Sequence, residues 1–143
     1  MTTEATLYDS LKYRVEVDEH GNRRHYSHLG QLHRDEGPAI VYTSGAQEWY
    51  QNGGLHCTTG PAIIWANGDL EWWQNGKRHR EDGPAVVWHD GHKEWWVNDR
   101  LHRIDGPALT RDNGTLEWWI HGVQYTKQAY RAQLKTLGIA HDF

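Results

Sequence analysis

The sequence is poor in the features that mark several large protein classes. Among its 143 residues there is one cysteine, Cys57, so no disulfide can form within the chain, and we expect a reducing compartment. No segment approaches the roughly 18 consecutive apolar residues of a membrane span. Residues 1–10 show neither the basic start nor the apolar run of a signal peptide. These absences predict a cytoplasmic protein without a membrane partner.

The chain also lacks an excess of positive charge. Its formal net charge is −4, whereas a general nucleic-acid or membrane-surface binder is basic. We therefore expect no general nucleic-acid binding.

Aromatic residues and glycine are what the sequence has in plenty. It contains nine Trp, seven Tyr and 15 Gly, against a single Phe. Aromatic side chains favour strands and glycine marks turns, so this composition indicates many short hairpins. The length fits one domain.

A period of 23 residues organises the chain. Gly-Pro pairs mark it at Gly37-Pro38, Gly60-Pro61, Gly83-Pro84 and Gly106-Pro107. The same step separates His33, His56, His79 and His102, and also Glu48-Trp49, Glu71-Trp72, Glu94-Trp95 and Glu117-Trp118. We infer four repeats, 32–54, 55–77, 78–100 and 101–123, preceded by a degenerate unit at 13–31 and an irregular or partly helical lead-in at 1–12.

Each repeat contains the signal of a hairpin. In the second repeat this signal is Asn67-Gly68, and Asn-Gly favours a two-residue type I′ turn. Such a turn would place Ile63 opposite Trp72 and Ala62 opposite Trp73. A second turn pair, Asn75-Gly76, follows, and the connection beyond it leaves open whether a repeat has two strands or three.

The end of the chain has a helical pattern. Thr126 is a suitable N-cap, Tyr130, Leu134 and Leu137 recur at helical spacing, and Gly138 suits the position after the last turn. The segment 126–138 is thus predicted to be an amphipathic helix that covers an open edge or one end of the sheet. The predicted fold is mainly β: a single-domain antiparallel hairpin meander of tandem repeats with a C-terminal α-helical cap.

Two sequence motifs carry a resemblance to a known family. The run 65–77, WANGDLEWWQNGK, resembles membrane occupation and recognition nexus (MORN) repeats in their bacterial and viral variant. The segment 79–85, HREDGPA, is similar to a repeat of bacteriophages and large DNA viruses. The resemblance covers about residues 30–122, and its glycine spacing differs from that of ordinary MORN repeats. It implies a binding or scaffold module, and in a phage an inhibitor of a host defence protein that acts in the host cytoplasm.

The repeated histidines raise the question of a metal. Ligands of one zinc ion lie within about 2.3 Å of it, whereas equivalent residues of successive repeats are about 10 Å apart. We therefore expect each histidine to pack or form hydrogen bonds within its own connection, with no metal and no cofactor bound.

A row of basic residues beside the Gly-Pro pairs has two interpretations. It comprises Arg34, His79, Arg80, His102 and Arg103, and each arginine has an Asp or Glu one or two residues further along. In the first interpretation these are turn residues with local ion pairs, which contribute about 0–1 kcal/mol each when exposed. In the second they form a ladder that holds phosphates or carboxylates. The second repeat interrupts such a ladder with Cys57-Thr58-Thr59.

Residues that break the repeat pattern are further binding candidates. Arg111 replaces the aromatic residue found at Tyr42 and Trp65, Lys93 stands at the position of Leu70, and Arg100 also departs from the pattern. The architecture does not require these side chains, so they are available for a partner.

No nucleophile elbow, phosphate loop or paired catalytic base is present, and we expect no enzymatic activity. The leading hypothesis is a protein that blocks or sequesters a macromolecular partner, with a protein as that partner. One alternative is a sponge for a nucleotide or another anionic small molecule. Another is a scaffold that self-associates, for example as a homodimer.

Overall fold

A computed structural model describes residues 5–9 and 13–143. The chain divides into two compact units, Met1–Lys77 and Arg78–Phe143. The boundary coincides with the end of the second 23-residue repeat, so that each unit contains two complete repeats.

The first unit is a meander of antiparallel strands. Its strands in chain order are β1 (Ala5–Asp9), β2 (Tyr13–Val17), β3 (Arg23–Tyr26), β4 (Ile40–Val41), β5 (Gln47–Glu48), β6 (Tyr50–Gln51), β7 (Gly54–Leu55), β8 (Ile63–Ile64), β9 (Leu70–Glu71) and β10 (Trp73–Gln74), with β11 (Lys77–Arg78) at the boundary. The meander runs β1-β2-β3-β4-β5-β8-β9, and β6 pairs with β7 in a separate hairpin.

The second unit repeats this plan and ends in the helix. Its elements are β12 (Val86–Val87), β13 (Lys93–Glu94), β14 (Trp96–Val97), β15 (Arg100–Leu101), β16 (Leu109–Thr110), β17 (Leu116–Ile120), β18 (Val123–Tyr125) and α1 (Lys127–Thr136). Strands β12-β13-β16-β17-β18 form the meander, and β14 pairs with β15. The predicted fold class, a mainly β hairpin meander with one C-terminal helix, is confirmed.

The first and third repeats each contain four short strands rather than two or three. Two belong to the meander, and two form a hairpin of their own. In the first repeat the second hairpin pairs Tyr50 with Leu55 and Gln51 with Gly54, around a two-residue turn. The sequence left the number of strands open because two-residue strands carry no periodicity.

The predicted register of the first hairpin is wrong by one residue. Ile63 pairs with Glu71 rather than with Trp72. The Gly68 N–H donates to the Trp65 carbonyl, and the Trp65 N–H donates to the Asp69 carbonyl, which closes a three-residue loop. Gly68 has a φ of 93°, as expected for a type I turn followed by a left-handed glycine.

The type I′ geometry occurs instead at the second turn of the repeat. Asn75 and Gly76 have φ values of 50° and 74°, and Asn52 and Gly53 have 50° and 83°. Asparagine tolerates the left-handed region and glycine adopts it without steric cost, so both residues of such a turn are accounted for.

Small and branched residues fill the interior of each unit. The alanine that follows each Gly-Pro pair is fully buried, and the aliphatic residue after it is almost fully buried. These residues are Ala39, Ile40, Ala62, Ile63, Ala85, Val86, Ala108 and Leu109. The Gly-Pro pair thus directs the chain into the sheet at the point where its first strand starts.

The C-terminal helix agrees with the prediction except at its last apolar residue. The Thr126 side chain accepts a hydrogen bond from the Ala129 N–H, as an N-cap does. Tyr130 and Leu134 are fully buried against β17 and β18, whereas Leu137 is 50% exposed. Leu137 is the C-cap, and beyond it Ile139 and Phe143 pack against the core that Tyr130 and Leu134 form with Trp118 and Ile120.

The expected irregular or helical lead-in at 1–12 is wrong for residues 5–9. These residues form β1, which pairs with β2 in the register Ala5↔Val17 to Asp9↔Tyr13. The rest of that segment, 1–4 and 10–12, lies outside the described residues. In the part of the chain that the structure describes, no helix is both long and apolar enough to cross a membrane.

Candidate binding grooves

The loops between repeats hold their own arginine side chains. We name them HR loops: residues 33–38, 79–84 and 102–107, with the variant loop 56–61. In the last HR loop, Arg103 Nε donates to Asp105 Oδ1 at 2.7 Å and Nη1 donates to the Pro107 carbonyl at 3.1 Å. The guanidinium carbon also lies 4.0 Å from the ring centre of Trp95. All three contacts are internal to the second unit.

The other two arginines of HR loops behave similarly. Arg80 Nε donates to Asp82 at 2.9 Å, and Nη1 donates to the Pro84 carbonyl at 3.2 Å. Arg34 Nη1 donates to the Pro38 carbonyl at 3.3 Å. A Cβ on Gly83 would meet the Arg80 guanidinium carbon at 2.9 Å, so the Gly-Pro pair requires glycine to admit the arginine.

The repeated histidines accept hydrogen bonds from the type I′ turns. The Nδ1 atoms of His33, His56 and His102 accept the backbone N–H of Asn52, Asn75 and His121, each at 3.0 Å, and His79 accepts that of Asn98 at 3.2 Å. Each histidine therefore connects its loop to a turn 19 residues further along the chain. His33 also bonds within its own connection, as expected, because its Nε2 lies 3.0 Å from Asp35 Oδ1. Burial and the neighbouring His121 lower the pKa of His102, which favours the neutral acceptor form.

Carboxylates occupy the outer surface of the HR loops. The side chain of Asp82 is 88% exposed while that of Arg80 is 26% exposed, and Asp105 is 79% exposed against 23% for Arg103. The hydrogen bond from Arg80 lowers the pKa of Asp82 below its ordinary value. The loops thus present negative charge to solvent and turn positive charge inwards.

Each unit has an open groove beside its HR loops. Groove 1, in the first unit, has a volume of about 800 Å³, and groove 2, in the second unit, has about 680 Å³. Groove 1 is lined by Arg34–Gly37, Trp49, Gln51, Asn52, His56–Thr59 and Asn75. Groove 2 is lined by Arg80–Pro84, Trp95, Val97 and His102–Asp105.

The variant loop makes groove 1 different from groove 2. Cys57 stands where Arg80 and Arg103 stand in the next two loops, and its Sγ lies 3.6 Å from Thr59 Oγ1. A Cβ built on Gly60 would meet no heavy atom within 4 Å. The space that a guanidinium fills in the HR loops is open here.

A second repeated feature is a carboxylate that accepts hydrogen bonds from aromatic rings. Glu71 is buried, and its two oxygens accept the indole N–H groups of Trp65 and Trp73, both at 3.0 Å. Both indoles therefore lie on the face of Glu71. In the first repeat, Glu48 accepts the Tyr42 and Tyr50 hydroxyl groups in the same way.

The third repeat departs from this arrangement. Glu94 accepts the Trp96 indole N–H at 2.7 Å. Its other oxygen lies 3.1 Å from His92 Nε2. The indole nitrogen of Trp88 is buried and has no hydrogen-bond partner among the described residues. His92 thus occupies the place beside the carboxylate that Tyr42 and Trp65 occupy in the first two repeats.

The three basic residues that break the repeat pattern, Arg111, Lys93 and Arg100, lie outside both grooves. Arg111 Nη2 donates to Glu117 Oε1 at 2.7 Å, which lowers the pKa of Glu117, so Arg111 replaces an aromatic donor within the fold. Lys93 is exposed on β13, and Arg100 is exposed on β15 with its side-chain carbons near Gly122. His79 also lies outside the groove linings. Of the predicted binding residues, groove 1 contains Arg34, and groove 2 contains Arg80, His102 and Arg103.

Sequence reasoning missed the grooves because they form between residues about 20 to 40 positions apart in the chain. The break at Cys57 was the available signal, and it marks the place where groove 1 opens. Within residues 13–143, no group of three or more His, Cys, Asp or Glu side chains is arranged to hold a metal ion. No model of a known protein family matches the chain, and no curated protein matches it.

Proposed function

We propose that the chain is a non-enzymatic binding protein that blocks or sequesters a protein partner by holding a basic segment of that partner along its HR loops. The observation that carries the proposal is that the arginine side chains of these loops point inwards while their carboxylates face solvent. Arg80 and Arg103 donate to acceptors of their own loops, while Asp82 and Asp105 face solvent. Complementary charge increases the association rate and selects the partner.

The same orientation argues against the nucleotide sponge. A phosphate site needs donors that point at the ligand. The arginine donors that could provide it are directed at Asp82, Asp105 and the Pro84 and Pro107 carbonyls instead. The protein partner that the resemblance to phage repeats implies is compatible with an acidic binding surface, provided that the partner presents arginine or lysine.

Calorimetry with a model peptide tests the proposal. We expect hexa-arginine amide to bind in 50 mM salt and to weaken strongly in 300 mM salt, because exposed charges are screened. Glu81→Gln removes an exposed loop carboxylate and should weaken binding by about 1.5–5-fold, the equivalent of 0.2–1 kcal/mol for an exposed charge pair. Asp112→Asn, which removes the same charge from an exposed turn away from the grooves, is the matched control.

Two outcomes would reject this function. One is an equal loss of affinity in Glu81→Gln and Asp112→Asn, which would reduce the effect to net charge. The other is the absence of peptide binding at low salt.

A further inference from the structure

Groove 1 lacks the arginine side chain that stands at the equivalent position of groove 2. In the second unit, the arginine of an HR loop lies over the aromatic residue eight positions earlier: Arg103 over Trp95, at 4.0 Å. The equivalent aromatic residue in groove 1 is Trp49, eight positions before Cys57. A cysteine has one heavy atom beyond Cβ, so it supplies no cation to the indole.

The glycine and the proline of the arginine site are present in the variant loop, whereas Thr59 stands at the position of Asp105, the carboxylate that accepts from Arg103. Gly60 stands at the position of Gly106, where a Cβ would meet the Arg103 guanidinium at 2.9 Å, yet at Gly60 the same space is open. Pro61 stands at the position of Pro107, whose carbonyl accepts from Arg103. An indole face, an open glycine and a loop carbonyl therefore remain without the side chain that uses them in the last HR loop.

The charge of groove 1 suits a cation. Its lining includes the carboxylates of Asp35 and Glu36. Arg34 also lines it, but the Arg34 guanidinium lies against Gly37 and donates to the Pro38 carbonyl of its own loop. The volume of about 800 Å³ exceeds the 680 Å³ of groove 2, where Arg103 is in place.

We propose that groove 1 is a receptor for one arginine side chain of the partner. The guanidinium stacks on Trp49 and donates to the Pro61 carbonyl, as Arg103 does with Trp95 and Pro107 in the last HR loop. The Glu36 carboxylate of the neighbouring HR loop supplies the negative charge that Asp105 supplies to Arg103. A planar guanidinium combines stacking with directed donors, whereas a lysine ammonium does not, so the site selects arginine over lysine. This assignment rests on the proposed function and specifies where the partner's basic segment docks.

The direct test uses Nα-acetyl-arginine amide as the probe. We expect it to shift the NMR signal of the Trp49 indole N–H with a dissociation constant of about 1–10 mM, the weak affinity of a single partly exposed cation–π site. The signal is assigned with Trp49→Phe. The neutral isostere Nα-acetyl-citrulline amide and Nα-acetyl-lysine amide should each bind at least about tenfold more weakly. An arginine probe that leaves the Trp49 signal unmoved, or that moves it no more than the citrulline probe does, overturns the proposal.

Cys57→Arg offers a second test, because it supplies the missing arginine from within the chain. This variant should raise the melting temperature and abolish the Trp49 response to the probe. Leu29→Arg adds the same charge at an exposed position of the first unit outside groove 1, and it should leave the response in place. A folded Cys57→Arg protein that still binds the probe as wild type does would refute the site, and the wild-type titration decides the matter if this variant does not fold.

The two proposals can fail separately. If hexa-arginine binding depends on Glu81 but survives Cys57→Arg undiminished, the acidic loops bind the partner and the Trp49 site is wrong. If the Trp49 signal responds to the arginine probe but Glu81→Gln and Asp112→Asn weaken the peptide equally, the site exists and the proposed function of the loops is wrong.

Discussion

Replacement of Arg103 by alanine removes three contacts from one side chain. The cation–π contact with Trp95, partly shielded at 4.0 Å, contributes about 0.5–2 kcal/mol. The hydrogen bond to the Pro107 carbonyl contributes about 0.5–1.5 kcal/mol. The pair with the exposed Asp105 adds about 0.2–1 kcal/mol. We expect Arg103→Ala to lower the free energy of unfolding by about 2–3 kcal/mol, more than an exposed ion pair alone would account for.

Urea unfolding followed by circular dichroism at pH 7 measures this loss. Arg103→Lys keeps the charge but not the planar fork, and should lose about half as much as alanine does. Arg100→Ala removes an exposed arginine of the same unit and should cost less than about 0.5 kcal/mol, as surface substitutions do. A loss below 0.5 kcal/mol for Arg103→Ala would show that the loop arginine is not part of the fold, and the charge orientation on which the proposed function stands would fail with it.

Four further predictions concern the fold. Gly68→Val should cost at least about 1–2 kcal/mol in urea unfolding, because a β-branched residue resists the φ of 93° at that position; an unchanged midpoint would contradict the observed loop. Glu71→Leu should cost about 2 kcal/mol or more, since two indole donors lose their acceptor, while Glu71→Gln keeps one acceptor and should cost less. Tyr130→Phe should cost about 1–2 kcal/mol by removing the hydroxyl that donates to backbone carbonyls of the last HR loop at 2.6 and 3.1 Å, and equal stability would deny that the helix supports this loop. Because the pKa of His102 is lowered, the unfolded chain binds a proton that the folded chain does not, so stability should fall as the pH decreases below about 6.5; His121→Asn should raise the His102 pKa in an NMR titration, and no change would exclude His121 as a cause.

The sequence predicted those elements that are determined by interactions between residues close to one another in the chain. Thr126 and the spacing of Tyr130 and Leu134 located the helix, because capping and helical periodicity act over a few residues. The turn pairs located the hairpins because a turn also depends on a few adjacent residues, and the 23-residue period showed that these turns recur. The register of the first hairpin could not be predicted in this way, because Asn67-Gly68 fits both a two-residue loop and a three-residue loop, and the sheet decides between them.

The candidate site was less accessible to sequence reasoning. Arg80 and Arg103 were identified as a basic row, but the direction of their side chains depends on Gly83 and Gly106, which leave room for an inward guanidinium. The sequence analysis treated Arg111 as available for a partner, although it donates to Glu117. In the first two repeats, aromatic residues donate to the equivalent carboxylate. A repeated position can therefore keep its structural task while the residue that performs it changes.

The sign of the charge that the protein binds tests the central claim most directly. Wild-type protein would be titrated by calorimetry, in the same low-salt buffer, with hexa-arginine amide and with ATP. Since the loop arginines are directed inwards and the loop carboxylates outwards, we predict salt-sensitive binding of the peptide and no binding of the nucleotide. Tight binding of ATP that is lost in an Arg80→Ala/Arg103→Ala double variant, with no binding of the peptide, would contradict the account.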